Sequence, residues 1–157
     1  MPTGSPWSVE RGEEIICTHK HLAGAALPIL HALQREFGFI HREAIPLVAR
    51  ALNLSRAEVY GIVSFYHDFR EIPPGRHVLR LCRAEACQSM GADALAERVR
   101  ERLQVNWHET SADGRVTLEP VFCLGLCACA PAAMLDGRVI GGLDQTRLLA
   151  LLDEARR

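Results

Sequence analysis

Two pairs of closely spaced cysteines constrain the fold of this chain more than any other feature. Four residues separate Cys82 from Cys87, three separate Cys123 from Cys127, and 35 residues lie between the pairs. The segments "HVLRLC" and "RVTLEPVF", which precede the two pairs, have the composition of β-strands. Each pair therefore lies in a loop after a strand. If the two strands are neighbours, four thiolates can meet at one end of a sheet.

A small α/β fold is predicted around these pairs. After the strand that ends at Cys82, apolar residues at helical spacing predict a helix that begins near Cys87 and includes Met90. The Asp-Gly steps in "SADGRVT" and "MLDGRVI" indicate hairpin turns. A final helix is expected after Asp144, which can cap it. The order of strand, helix, strands, hairpin and helix is typical of helices packed on a sheet.

The first part of the chain has a helical pattern instead. Apolar residues recur at nearly helical spacing from Thr18 to Phe37, and Pro28 within that run predicts a kink or an early break. The clearest helix start is "LSRAEVY", in which Ser55 and Glu58 form the sequence signature of a capping box.

A domain boundary is expected at "REIPPGR", because two prolines and a glycine interrupt any regular structure there. The sequence thus predicts a helical domain over residues 1–72 and an α/β domain over residues 73–157. Cys17 is expected just before the first helix, in a structural or incidental role.

Charge and hydropathy exclude several classes of function. The net charge of −1 gives no field that would draw the chain to nucleic acid or to an anionic membrane. The N-terminus has no apolar signal region and the longest apolar runs fall short of a membrane span, so we expect a cytoplasmic protein without membrane insertion. In a reducing compartment, six cysteines point to metal binding or redox chemistry rather than to disulfides.

The spacing of the pairs favours a 2Fe–2S cluster over zinc. Structural zinc sites usually have two residues between paired cysteines, whereas a 2Fe–2S cluster spreads four thiolates over two irons and tolerates wider loops. Gly125 lets the second loop follow a tight path with its amides free to point at sulfur.

Three other interpretations remain open on the residues alone. The cysteines can be buried packing residues, or ligands of a zinc ion in a purely structural interaction module. A disulfide oxidoreductase would need a C-x-x-C pair at a helix start, which is absent. Spacing also leaves Cys129 open as the fourth ligand in place of Cys127.

The motifs "LCRAEACQSMGA" and "VFCLGLCACAPA", with "LNLSRAEVYGIVSFYHDF" in the helical part, resemble the thioredoxin-like 2Fe–2S ferredoxin family. The resemblance implies an N-terminal helical bundle followed by a thioredoxin-like domain. It also implies one 2Fe–2S cluster on Cys82, Cys87, Cys123 and Cys127, with Cys129 unbound.

Within that family, "CRAEACQSMG", "SFYHDFR" and "CLGLCACAP" resemble most the gamma subunit of soluble, molybdenum-containing, NAD-dependent formate dehydrogenase. This implies an electron-transfer subunit without catalytic residues. The expected partners are a beta subunit that binds FMN and NAD and an alpha subunit that carries the molybdenum cofactor and oxidises formate. The equivalent subunit of complex I or of an NAD-reducing hydrogenase is the alternative within the family.

Overall fold

The computed structural model describes residues 4–156 and divides near residues 73 and 74 into two compact units. The first unit is entirely helical and the second is mixed α/β, with each unit containing its own buried cluster of apolar side chains. Among the described residues, no helix is both long enough and apolar enough to cross a membrane.

Within residues 4–73, which the structure describes, four helices form the helical unit. Their bounds are α1 Val9–His19, α2 Ala26–Phe37, α3 Ala44–Leu52 and α4 Arg56–Phe65. They pack around fully buried side chains that include Ile29, Leu30, Leu33, Val48 and Val59.

The start of the helical unit differs from the prediction. Helix α1 begins at Val9, where the Ser8 hydroxyl accepts a hydrogen bond from the Arg11 N–H at 3.3 Å. Cys17 therefore lies within the first helix, exposed, and not before it. Pro28 falls in the first turn of α2, where a backbone N–H would have no carbonyl partner within the helix. Proline therefore costs no hydrogen bond there, and the helix does not have to kink.

The capping box at α4 is present as predicted. The Ser55 hydroxyl accepts from the Glu58 N–H at 3.1 Å, and the Glu58 carboxylate accepts from the Ser55 N–H at 2.7 Å. Two of the N–H groups at the start of the helix thus gain local partners.

In the α/β unit, the described residues form four strands and three α-helices. Its elements are β1 His77–Cys82, α5 Glu85–Ser89, α6 Ala92–Leu103, β2 Val116–Val121, β3 Ala133–Leu135, β4 Arg138–Ile140 and α7 Gln145–Ala155. The sheet order is β2-β1-β3-β4, with β1 parallel to β2 and the remaining neighbours antiparallel. This is the α/β arrangement that the sequence predicts.

One face of the sheet supplies the core of this unit. Leu79 on β1 lies opposite Leu118 on β2 and Leu135 on β3, and all three are buried. They belong to the same cluster as Val99 of α6 and Leu148 of α7, so two helices cover this face. The sheet is therefore a rigid base for the loops at its ends.

The helix expected from Cys87 through Met90 is interrupted. Helix α5 ends at Ser89, and α6 begins at Ala92 after Gly91, which has a φ of 89°. Because that left-handed conformation breaks a helix, Met90 lies in a turn and is 62% exposed.

Candidate metal centre

The two cysteine loops lie at the same end of the sheet. Cys82 is the last residue of β1 and lies opposite Val121, the last residue of β2. The Arg83 N–H donates to the Val121 carbonyl at 2.7 Å, so the strands stay joined up to the point where both loops begin. Parallel pairing thus brings "CRAEAC" and "CLGLC" together, as the sequence predicts.

The first pair, Cys82 and Cys87, is buried. Both thiols belong to a small apolar cluster with Ala92 and Ala132, and each cysteine is 2% exposed. Burial raises the pKa of the Cys87 thiol, and its hydrogen bond with the Cys82 thiol raises that pKa further. The Ala132 N–H acts in the opposite direction, because it donates a hydrogen bond to the Cys87 sulfur.

The second pair, Cys123 and Cys127, is exposed and close together. The two Sγ atoms are 4.0 Å apart, and the Gly125 N–H donates to the Cys123 sulfur at 3.3 Å. Cys123 has a φ of 117° and Gly125 a φ of 75°. A non-glycine residue at such a φ is strained, and strain of this kind concentrates at functional sites.

The two pairs interact with each other across the loops. The hydrogen bond with the Cys123 thiol raises the pKa of Cys127 most, and the charge of Cys82 raises it as well. The charge of Cys127 in turn contributes to the raised pKa of Cys87. Negative charge on one pair is thus felt at the other, and such like charges repel unless a cationic centre compensates them.

In the part of the chain that the structure describes, no three or more His, Cys, Asp or Glu side chains are grouped so that they could hold a metal ion. The thiols form two separate pairs, one buried and one exposed. As a donor set, four thiolates in two pairs fit the two irons of a 2Fe–2S cluster.

Cys129 lies in the same loop as Cys127, two residues further along the chain. Residues Cys127–Cys129 form a single 3₁₀ turn, closed by the Cys129 N–H, which donates to the Leu126 carbonyl at 2.9 Å. Because this segment is not extended, the two side chains do not share a direction as strand neighbours would. Cys17 belongs to the helical unit.

Arg83, which follows Cys82, contacts other side chains of the α/β unit. Its guanidinium pairs with Asp93 at 3.1 Å and lies over the Trp107 ring, 5.2 Å from the ring centroid. Its Nε is buried and has no hydrogen-bond partner among the described residues. The ion pair of Arg83 therefore lies within the chain.

A family model described as a thioredoxin-like 2Fe–2S ferredoxin matches residues 12–156. The chain belongs to this family. The expected fold is thus confirmed, and the ferredoxin is a 2Fe–2S protein.

Relatives of the ferredoxin are components of redox enzymes. It is 32% identical over 131 residues to the NADP-reducing hydrogenase subunit HndA of Solidesulfovibrio fructosivorans, and the match covers 83% of this chain and 77% of the relative. It is 33% identical over 129 residues to one of the subunits of the NADH-quinone oxidoreductase of Pseudomonas aeruginosa, and this match covers 82% of the chain and 78% of the relative.

A solved structure shares the fold. In the crystal structure of an NAD⁺-reducing NiFe hydrogenase in the air-oxidized state, the matching region superimposes with a TM-score of 0.71 at 27% identity. The match covers 83% of the ferredoxin but only 22% of the hydrogenase chain.

The sequence did not single out the loop that follows β4. Gly141 and Gly142 in this loop contact the turn that contains Cys129. The one sequence signal for that contact is the Gly-Gly pair directly after a strand, where glycine often marks a close backbone approach.

Proposed function

We propose that the ferredoxin is the electron-transfer subunit of a multisubunit NAD-dependent formate dehydrogenase. The observation that supports the electron-transfer role is the placement of two thiol pairs in loops that begin at the shared end of β1 and β2. A bound 2Fe–2S cluster supplies one-electron chemistry, while hydride transfer needs a flavin or nicotinamide on a partner.

We propose Cys82, Cys87, Cys123 and Cys127 as the ligands. The buried pair and the exposed pair each suit one iron. The N–H groups of Gly125 and Ala132 point at ligand sulfurs, and such hydrogen bonds favour the negative charge that a reduced cluster carries.

The electron partner is proposed to be a subunit that binds FMN and NAD. Cys123 and Cys127 are exposed, and Phe122 beside them is 75% exposed, so this edge of the unit suits contact with another protein. We expect Phe122→Ser to lower recovery of the partner subunit without loss of iron. Val139→Ser on β4, where Val139 is 44% exposed, is the matched control. Equal recovery with both variants would remove Phe122 from the interface.

The assignment to formate dehydrogenase rests on "CRAEACQSMG", "SFYHDFR" and "CLGLCACAP". The hydrogenase and NADH-quinone oxidoreductase relatives favour the alternative, in which the ferredoxin serves a hydrogenase or complex I. Purification through a tag on this chain separates the two. Recovery of a flavoprotein and a molybdenum protein with formate-dependent NAD reduction is expected. Recovery of a nickel-iron subunit or a membrane arm would reject the formate assignment.

A zinc-stabilised interaction module is the proposal of another class. We expect the purified chain to be reddish-brown, with iron and acid-labile sulfide in equal amounts and an EPR signal on reduction. A colourless chain with bound zinc and no labile sulfide would reject electron transfer.

A further inference from the structure

The loop between β4 and α7 packs against the end of the proposed ligand loop. The Gly142 N–H donates to the Cys129 carbonyl at 2.5 Å, and the Leu143 N–H donates to the Pro131 carbonyl at 3.0 Å. Leu143 is itself buried in the core of the α/β unit. These two hydrogen bonds join the segment after the ligands to the chain that leads into α7.

Gly141 allows this contact because it has no side chain. A Cβ at residue 141 would lie 2.9 Å from the Cβ and 3.1 Å from the carbonyl oxygen of Cys129, and 3.2 Å from Leu126 Cδ1. The distance of 2.9 Å is shorter than real Cβ contacts. The atom that would be contacted, the Cys129 Cβ, is attached directly to the backbone of the turn and is not the far end of a flexible side chain. The backbone of Gly141 is outside the left-handed region, so alanine could adopt its conformation. The turn itself is therefore what a larger residue would displace.

Arg147 fastens this loop to α7. Its guanidinium donates to the Gly142 carbonyl at 3.0 Å and to the Gly141 carbonyl at 3.4 Å. The backbone N–H of Arg147 donates to the capping Asp144 carboxylate at 2.8 Å, and the next residue, Leu148, is buried. A helix fixed in the core thus holds the two glycines, and the glycines hold the turn at Cys129.

We propose that Gly141 and Arg147 are positioning residues for the 2Fe–2S cluster. They hold the turn Cys127–Cys129 in place, and so they set the solvent exposure and amide environment of the Cys127 sulfur. Both quantities tune the reduction potential of an iron–sulfur cluster. This role rests on the proposed ligand set.

The test uses the full chain with its cluster. Gly141→Ala is expected to shift the reduction potential in an EPR-monitored titration and to speed the loss of iron to a chelator by about tenfold or more, the usual effect of losing a supporting partner at a metal site. Gly61→Ala is the matched control. Gly61 lies in α4, and apart from its own helix and chain neighbours no described atom lies within 4 Å of its Cβ position. This control should keep the wild-type potential and rate.

Arg147 provides a second test that does not depend on how Gly141→Ala folds. Arg147→Met removes the donors and is expected to move the potential in the same direction as Gly141→Ala, while Arg147→Lys keeps a donor and should restore much of the wild-type value. Two results together would refute the positioning role. Arg147→Met would lower the unfolding temperature without a change in the reduction potential, and folded Gly141→Ala protein would keep the wild-type reduction potential and rate of iron loss. A wild-type chain without iron and sulfide would refute the proposed function itself, and the positioning role with it.

Discussion

Gly125 in the second cysteine loop gives a prediction whose magnitude follows from its backbone. Its φ is 75°, and apart from its chain neighbours no described atom lies within 4 Å of its Cβ position, so Gly125→Ala adds strain without a clash. The left-handed conformation costs a non-glycine residue about 1–2 kcal/mol. Alanine offsets about 0.4–1 kcal/mol of this by restricting the unfolded chain. The net loss of about 1 kcal/mol corresponds to about a fivefold change in the folding equilibrium constant.

Two assays measure that loss. Urea unfolding of the cluster-free chain should show a free energy of unfolding lower by about 1 kcal/mol, and the loaded chain should release iron to a chelator faster than wild type. Gly125→Asn should lose less than Gly125→Ala, because asparagine tolerates the left-handed region better. Gly61→Ala, in a helix of the helical unit, should instead raise the stability of that unit by about 0.5–1 kcal/mol and leave the rate of iron release at the wild-type value. Equal stability and equal iron release for wild type and Gly125→Ala would show that the loop does not need this backbone.

Two further predictions concern the helical unit. The pKa of Glu58 is lowered, chiefly because its carboxylate accepts a hydrogen bond from the Ser55 N–H. Its contribution to folding stability is therefore complete above the pKa of the unfolded chain and is lost as the pH falls through the lowered value. The difference in melting temperature between wild type and Glu58→Ala should therefore shrink in acid, and a difference that is constant with pH would contradict the capping role. Leu33→Ala should cost about 2–5 kcal/mol in unfolding experiments. We propose that residues 1–72 and 73–157 are separate domains, so Leu33→Ala should leave the EPR spectrum of the cluster unchanged. Leu148→Ala, in the core of the α/β unit, should alter that spectrum. Cluster loss in both variants would indicate one cooperative domain instead.

Local signals in the sequence predicted much of the fold. The capping box at Ser55, the cap at Asp144 and the turn at Asp136–Gly137 each depend on residues only a few positions apart. Strand β1 ends at Cys82 as predicted. The meeting of the two cysteine loops followed from one further assumption, that the strands before them are neighbours, and parallel pairing of β1 with β2 satisfies it.

Features that depend on distant contacts could not be read in this way. Helix α1 contains few apolar residues, and one of its three buried positions is Gly12, so in the sequence only Ile15 and Ile16 mark its buried face. The close approach of Gly141 to Cys129 joins positions twelve residues apart. Backbone contacts of that kind leave almost no trace in residue types.

The most direct test of the central claim compares Cys127→Ser with Cys129→Ser. Both variants replace one exposed cysteine of the same 3₁₀ turn. The measurement is iron and acid-labile sulfide per chain, together with the EPR signal of the reduced protein. Our assignment predicts that Cys129→Ser keeps the iron, the sulfide and the signal, and that Cys127→Ser loses them. The opposite result would show that Cys129, not Cys127, completes the ligand set.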